Sequence, residues 1–319
     1  MKDTSDHGRR KAVLSNDPYS HITSDDVRQA AVIQSEILHF TQVFLRQSGF
    51  VQLLPTIISP ITDPLSNGVE RTRINCYGNS YSLTQSMIFH KQLALNAHDR
   101  IFIVSPNVRL ESEDKVLSGV HLFEFAQVDL EIRNGTRDDV MALIEELLVY
   151  LTHAIEESAR CDFIREKTEI GSLKCPFPRI TYSEAVREFG DEFEKQLSLS
   201  LDGPAWLVDI PVSEREFYDF QRDGAEVLED MDLILPKGHG EVLSGGKREH
   251  EYERIVRRMM EKKVSFEEMS WYLKLASEGC LPPSAGCGFG VERLTKFLCG
   301  FDDISLTRLF PKIPGQYCL

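Results

Sequence analysis

A chain of 319 residues with 42% apolar and 27% charged side chains carries enough hydrophobic material for a folded core, and no apolar run approaches the ~18 residues of a membrane span. Its 36 basic and 50 acidic side chains leave a net charge of −14, a field that opposes high-affinity nonspecific binding to polyphosphate backbones. Seven cysteines, odd in number and without a CxxC pair, read as reduced thiols rather than a disulfide framework or a zinc set, and the polar start from Met1 to Lys11 lacks the apolar core of a signal peptide, so a cytoplasmic location with no membrane partner is expected.

Residues 1 to about 25 are polar and aperiodic and read as a flexible arm. From Asp25 to Gln47 apolar residues recur at helical spacing, with Ser24 available as N-cap and Gly49 just beyond the end. Phe50 to Pro55 reads as a strand broken by proline. Strands are predicted at 79–83 and 101–105 with a helix at 86–96 between them, then strands at 106–111 and 121–133. Asp138 to Ala159 has the pattern of an amphipathic helix. Ile180 to Glu188 reads as a helix start capped by Ser183, and Ala205 to Ile210 as a buried strand. Helices are expected at 249–262 and 265–278, followed by a glycine-rich strand from Ser284 and a helix from Val291 to near Gly300. The order fits an α/β (α+β) fold with one mixed or antiparallel sheet surrounded by helices.

Three clusters carry chemistry. Glycines 286, 288 and 290 leave one strand face bare, so a flat ligand can lie against the backbone. Arg293 follows in the first helical turn, where a cation is unfavourable unless an anion is close. A nucleotide triphosphate answers both features; a glycine-weakened strand with a solvated arginine is the plain alternative. In Val108-Arg-Leu-Glu111, strand alternation would project Arg109 and Glu111 together, as a phosphate clamp and adenine acceptor or as a surface ion pair. His121 and Phe125 follow, and then Gln127, Asp129 and Glu131 on alternating positions; Phe125 can stack on a base and Asp129 can receive an ammonium, unless this is an ordinary strand with one wet face. In Gly240 to Glu249, Glu241 and Ser244 offer hard oxygens for Mg²⁺, with Asp232 as a further ligand. Arg248, after a Gly-Gly turn, offers a fork suited to a carboxylate; a surface turn is the alternative.

In this order the clusters resemble the motifs of class II aminoacyl-tRNA synthetases, specifically the aspartyl/asparaginyl branch. The helix ending at Gly49-Phe50 and the strand to Pro55 are similar to the first family motif, which implies a homodimer interface. Arg109 through Glu131 is similar to the second motif and Gly286 through Arg293 to the third. The stretches Pro176 to Ala185 and Gly240 to Glu249 are close to asparaginyl-enzyme wording. The resemblance covers about 26–313 and implies a catalytic domain over 26–319, an antiparallel sheet flanked by helices. It implies ATP as substrate, with Arg109 on the α-phosphate, Glu111 on adenine, His121 near the outer phosphates, Phe125 stacked on adenine and Arg293 on the γ-phosphate. Arg109 and Arg293 would then be the catalytic pair, Glu241 and Ser244 would serve Mg²⁺, and Gln127 and Asp129 would surround the amino acid's α-amino group.

Lys91 falls where aspartyl enzymes meet the substrate carboxylate, with Arg248 opposite, and two cations facing one pocket imply aspartate. Met87-Ile88 in place of Pro-Gln, Val120 in place of arginine, and Ser284-Ala285 in place of His-Gly depart from the aspartyl pattern. Family synthetases begin with an anticodon-binding barrel; here the first family helix starts near residue 26, which together with the negative charge makes tRNA an unexpected partner and leaves no anticodon-binding barrel. The chain then resembles the asparagine synthetases related to asparaginyl-tRNA synthetase. The activity expected is AMP-forming asparagine biosynthesis from aspartate and ammonia, with transfer of activated aspartate or asparagine to tRNA, a protein or a small molecule as the alternative.

Overall fold

In the computed structural model, residues 18–65, 69, 72–111, 115, 119–164, 173–314 and 316 are described. Helix α1 (Pro18–Thr23) lies inside the stretch read as an arm, whose first 17 residues are outside the described ones. Helix α2 (Asp25–Gln47) starts as expected, with the Ser24 hydroxyl accepting from the Val27 N–H and two aspartates in the first turn opposing the macrodipole. Strands β1 (Val51–Leu53), β2 (Ile58–Ser59), β3 (Arg73–Cys76) and β4 (Asn79–Leu83) follow, then helix α3 (Ile88–Ala94). The two strands expected at 101–111 are one, β5 (Arg100–Val108). It accommodates Pro106 because its neighbour β1 ends opposite Ile103, so no partner on that side needs the missing N–H.

Strand β6 (Glu124–Arg133) runs into α4 (Arg137–Glu157), entered through a capping box between Thr136 and Asp139. Then come β7 (Arg179–Thr181), α5 (Tyr182–Phe189), α6 (Phe193–Ser200) and β8 (Ala205–Val208). The cap of α5 is Thr181, not Ser183: its hydroxyl accepts from the Glu184 N–H while Glu184 reaches back to the Thr181 N–H. Two strands not anticipated, β9 (Asp230–Leu235) and β10 (Gly240–Arg248), precede α7 (Tyr252–Glu261), α8 (Ser270–Ser277), β11 (Ser284–Gly290) and α9 (Val291–Cys299). Gly300 in the left-handed conformation ends α9.

Eight strands form one sheet in the order β1-β5-β6-β11-β10-β9-β8-β7, antiparallel except for the outer pairs β1/β5 and β7/β8. A small sheet, β2-β4-β3, stands apart. Among the described residues no strand arrangement closes into a barrel. Alternation sorts the two faces of the large sheet. Val128, Leu130 and Ile132 of β6 and Ala285, Cys287 and Phe289 of β11 are buried in one cluster with α2, α4 and α9. Burial of each such aliphatic side chain contributes roughly 1.5–3 kcal/mol and fixes the register, because a one-residue slip would exchange the faces. The opposite face is thereby left for polar residues. Its flanks are covered by an aromatic cluster containing Phe89 of α3 and Tyr272 of α8, and by a smaller one from α5 and α6.

Candidate active site

The face opposite the helices carries Gln127, Asp129 and Glu131 on β6, directly across from Gly290, Gly288 and Gly286 on β11. Beyond β11 lie Ser244, Gly246 and Arg248 on β10. The paired glycines make this possible: a Cβ on Gly245 would meet the Cys287 Cβ at 2.5 Å, and one on Gly246 would meet the Asp230 Cα at 2.8 Å. The Gly-Gly pair is therefore the middle of a strand in close contact with both neighbours, and the expected turn before Arg248 is absent. Glycine signals close backbone approach as readily as a turn.

Gly286 is not bare. A Cβ there would lie 2.1 Å from the Glu131 Oε2, so the missing side chain makes room for the protein's own carboxylate. Gly288 borders Asp129, with Oδ1 2.9 Å from a built Cβ, whereas at Gly290 nothing lies nearer than the Arg293 side chain at 3.5 Å. The surface open to a flat ligand is the Gly290 end of the strand.

At the other end five charged groups interlock. Lys91 of α3 donates to Asp129 Oδ1 at 3.1 Å and to the Cys287 carbonyl at 3.0 Å, and lies 3.6 Å from Glu131 Oε2. Arg248 donates from Nε to Glu131 Oε1 at 3.2 Å, from one terminal nitrogen to Asp219 at 3.0 Å, and from the other to the Gly286 carbonyl at 2.9 Å. All five side chains are at least nine-tenths buried. Burial opposes the charge on Arg248, but Glu131 and Asp219 outweigh it and raise the guanidinium pKa further; burial pushes the Asp219 carboxyl up against the pull of Arg248. Ser105 donates to the free oxygen of Asp129 at 2.7 Å, and Asn107 donates to Gln127 Oε1 at 2.9 Å, so β5 orients both β6 side chains.

Toward Gly290 the residues are more accessible. Arg109 donates from Nε to the Gln85 carbonyl at 3.0 Å, and its guanidinium lies 5.2 Å from the centre of the Phe125 ring. Arg293 donates to the Glu241 carbonyl at 2.7 Å and lies 3.5 Å from that residue's carboxylate, about a third exposed. The anion its helical position calls for is thus close by. Glu111 and His121 sit half-buried on the connection between β5 and β6. The Glu111 N–H donates to the Arg109 carbonyl at 2.9 Å, a three-residue turn, so these two do not alternate as on a strand.

Asp232 faces Ser244 across the β9/β10 pair, and one of its oxygens is paired with Arg215, whose Nε also donates to Asp230 at 3.2 Å. Burial pushes the carboxyls of Asp230 and Asp232 up to about 7 and about 6, against the pull of Arg215. The second oxygen of Asp232 is buried, with the Ser244 hydroxyl as its neighbour. That hard oxygen, with the Ser244 hydroxyl and the Glu241 carboxylate near it, fits a Mg²⁺ ion shared with a triphosphate.

Lys91, Asp129 and Arg248, far apart in sequence, are therefore brought into one network, and Arg109 and Phe125 into one contact. Sequence reasoning did not single out Asp219, Arg215, Ser105, Asn107 or Gln85. The short polar stretch around Asp219 shows no periodicity; Ser105 and Asn107 do alternate with apolar neighbours, and that pattern is the signal that could have found them.

Residues 11–314 match the family model described as tRNA synthetases class II (D, K and N). The asparagine–tRNA ligase of Thermococcus gammatolerans is 26% identical over 93% of this chain and 71% of its own length, and that of Symbiobacterium thermophilum 30% over 92% and 72%. The structure of asparaginyl-tRNA synthetase from Pyrococcus horikoshii complexed with asparaginyl-adenylate superposes with a TM-score of 0.85 at 24% identity, covering 94% of this chain and 72% of that one. These relatives overturn the expectation that tRNA is an unlikely partner, since proteins matching nearly the whole chain are named for joining asparagine to tRNA. The physical fault in that expectation is that −14 is a sum over the entire chain, which says nothing about the surface beside one site. No described helix is long and apolar enough to cross a membrane.

Proposed function

Because this chain belongs to the class II tRNA synthetases of the D, K and N group, we propose that it activates asparagine with ATP and passes the asparaginyl group to an acceptor, with tRNA first among the candidates. The charge balance of the buried pocket carries this reading. Lys91 and Arg248 are already matched by Asp129, Glu131 and Asp219 around the pocket. An aspartate side chain would add an unmatched carboxylate to a dry site, which is costly. A carboxamide adds no charge; its oxygen can accept from Lys91 or Arg248 while its N–H groups donate to the carboxylates.

In this reading the α-carboxylate of asparagine attacks the α-phosphorus of ATP, the new oxygen–phosphorus bond forms as pyrophosphate leaves, and the acceptor's nucleophile then attacks the acyl carbon and releases AMP. Arg109 would hold the α-phosphate beside Phe125, Arg293 would move from Glu241 to the γ-phosphate, and Glu111 and His121 would meet adenine and the outer phosphates. Mg²⁺, held by Glu241, Ser244 and the second oxygen of Asp232, would neutralise triphosphate charge. The protein's part is positioning and fixed charge, with no covalent intermediate on a side chain. With asparagine, activation at the α-carboxylate leaves Asp129 and Gln127 in their expected place around the α-amino group. The aspartate and ammonia reading requires the β-carboxylate to be activated instead, which turns the substrate around. A homodimer through the α2 and β1 segment accompanies the proposal.

ATP–pyrophosphate exchange with asparagine and with aspartate tests it. Exchange driven by asparagine is expected. Exchange driven by aspartate alone, with free asparagine formed when ammonium is added, would refute it in favour of the asparagine synthetase reading.

A further inference from the structure

We propose that Asp219 is the specificity-determining residue that makes the pocket reject a carboxylate side chain, an inference that rests on the asparagine reading above. Glu131 is shared: it lies against both Lys91 and Arg248, and its Oε1 also accepts from Ser284 at 2.8 Å. On Glu131 alone, the Arg248 edge away from β6 would present an uncompensated charge. Asp219 occupies that edge. The backbone holds it there: Asp219 and Arg248 form an antiparallel bridge, flanked by the Phe220 N–H donating to the Lys247 carbonyl at 3.0 Å and the Glu249 N–H donating to the Tyr218 carbonyl at 2.8 Å.

With Asp219 the network holds three carboxylates against two cations. Three of the five guanidinium N–H groups of Arg248 are used by the protein, leaving two. Those can serve the single oxygen of a carboxamide. A carboxylate would bring a further negative charge beside Asp219, and like charges in a desolvated pocket are the usual basis of rejection. Burial opposes the charge on Asp219; besides Arg248, Arg215 and Arg258 favour it and Glu216 opposes it.

The test compares kcat/KM for asparagine and aspartate in ATP–pyrophosphate exchange for wild type, Asp219→Asn and Asp219→Glu. Asp219→Asn keeps an oxygen acceptor for Arg248 and removes only the charge; the asparagine preference should fall about tenfold or more, mainly through a gain with aspartate. Asp219→Glu keeps the charge and should keep the preference. An unchanged ratio in Asp219→Asn overturns the assignment, as does a loss of preference in Asp219→Glu. Loss of both substrates in an Asp219→Asn protein that melts like wild type also overturns it, because that result assigns the residue to holding Arg248 alone. Should Asp219→Asn fail to fold, calorimetric binding of the two amino acids to Asp219→Glu decides: equal binding refutes the role. A wild-type preference for aspartate would sink the asparagine reading itself, a result distinct from all of these.

Discussion

Replacing Gly286 and Gly290 separately by alanine should split stability from ligand binding along a single strand. A methyl on Gly286 is built 2.1 Å from the Glu131 Oε2 and 2.2 Å from the Leu130 carbonyl oxygen. Glu131 cannot turn away without leaving Arg248 and Ser284, and the Leu130 carbonyl is fixed by the β6/β11 pairing opposite Cys287. Overpacking of this kind costs up to about 3 kcal/mol. With an unfolding entropy of about 2.1 cal/mol/K per residue over 319 residues, that loss lowers Tm by roughly 4–5 °C. On Gly290 the same methyl has its nearest neighbour, the Arg293 side chain, at 3.5 Å, ordinary contact, so Tm should stay within about 1 °C. It would, however, stand on the face offered to the nucleotide and raise KM for ATP. Differential scanning calorimetry beside pyrophosphate exchange reads both effects. A Gly286→Ala protein melting with wild type, or a Gly290→Ala protein with unchanged KM, would refute the division of the strand into a protein-filled and a ligand-facing end.

Lys91→Met leaves Asp129 and Glu131 buried with one cation fewer; a stability loss of about 3–5 kcal/mol in urea unfolding is expected, and a loss below about 1 kcal/mol would contradict the network. Arg293→Ala should reduce exchange about 100-fold while Tm barely moves, since its pair with Glu241 is a third exposed; unchanged turnover would remove it from the phosphate site. Burial, reinforced by Glu216, raises the Asp63 carboxyl to about 6, against Arg109 and the Tyr218 hydroxyl. The folded state then binds this proton more tightly than the unfolded one, so its contribution is complete below about pH 4 and lost as pH rises through about 6, at up to about 1.4 kcal/mol per pH unit. Asp63→Asn should flatten the fall in unfolding free energy across that window; an identical slope in both proteins would refute the assignment.

The sequence discloses α2, α4 and the glycine strand because each has a strong local signature: a capped helical period in the first two, and glycine at every second residue in the last. It also places Gln127, Asp129 and Glu131 on one face, since β6 alternates cleanly against Val128, Leu130 and Ile132. It conceals β9: Asp232 reads there only as a Mg²⁺ ligand and Asp230 carries no signal, and two aspartates can stand in a buried strand only because Arg215, 15 residues before Asp230, pairs with both. Lys91 was legible as a cation near the substrate, but its net effect was not. Whether a charge is available to a ligand depends on what already neutralises it, and Asp129, Glu131 and Asp219 meet Lys91 and Arg248 only through the sheet order.

That order has a consequence for how the protein is made. β11 is the last strand along the chain, yet it lies between β6 and β10 in the middle of the sheet. Until residues 284–290 leave the ribosome, those two strands have facing edges with nothing between them, the kind of edge that recruits other chains. The Lys91 bond to the Cys287 carbonyl spans 196 positions and can form only after this insertion. At about 5–20 residues per second, the 42 residues from Arg248 to Gly290 keep those facing edges open for roughly 2–8 seconds. The gap between β6 and β10 is where a chaperone has most to protect.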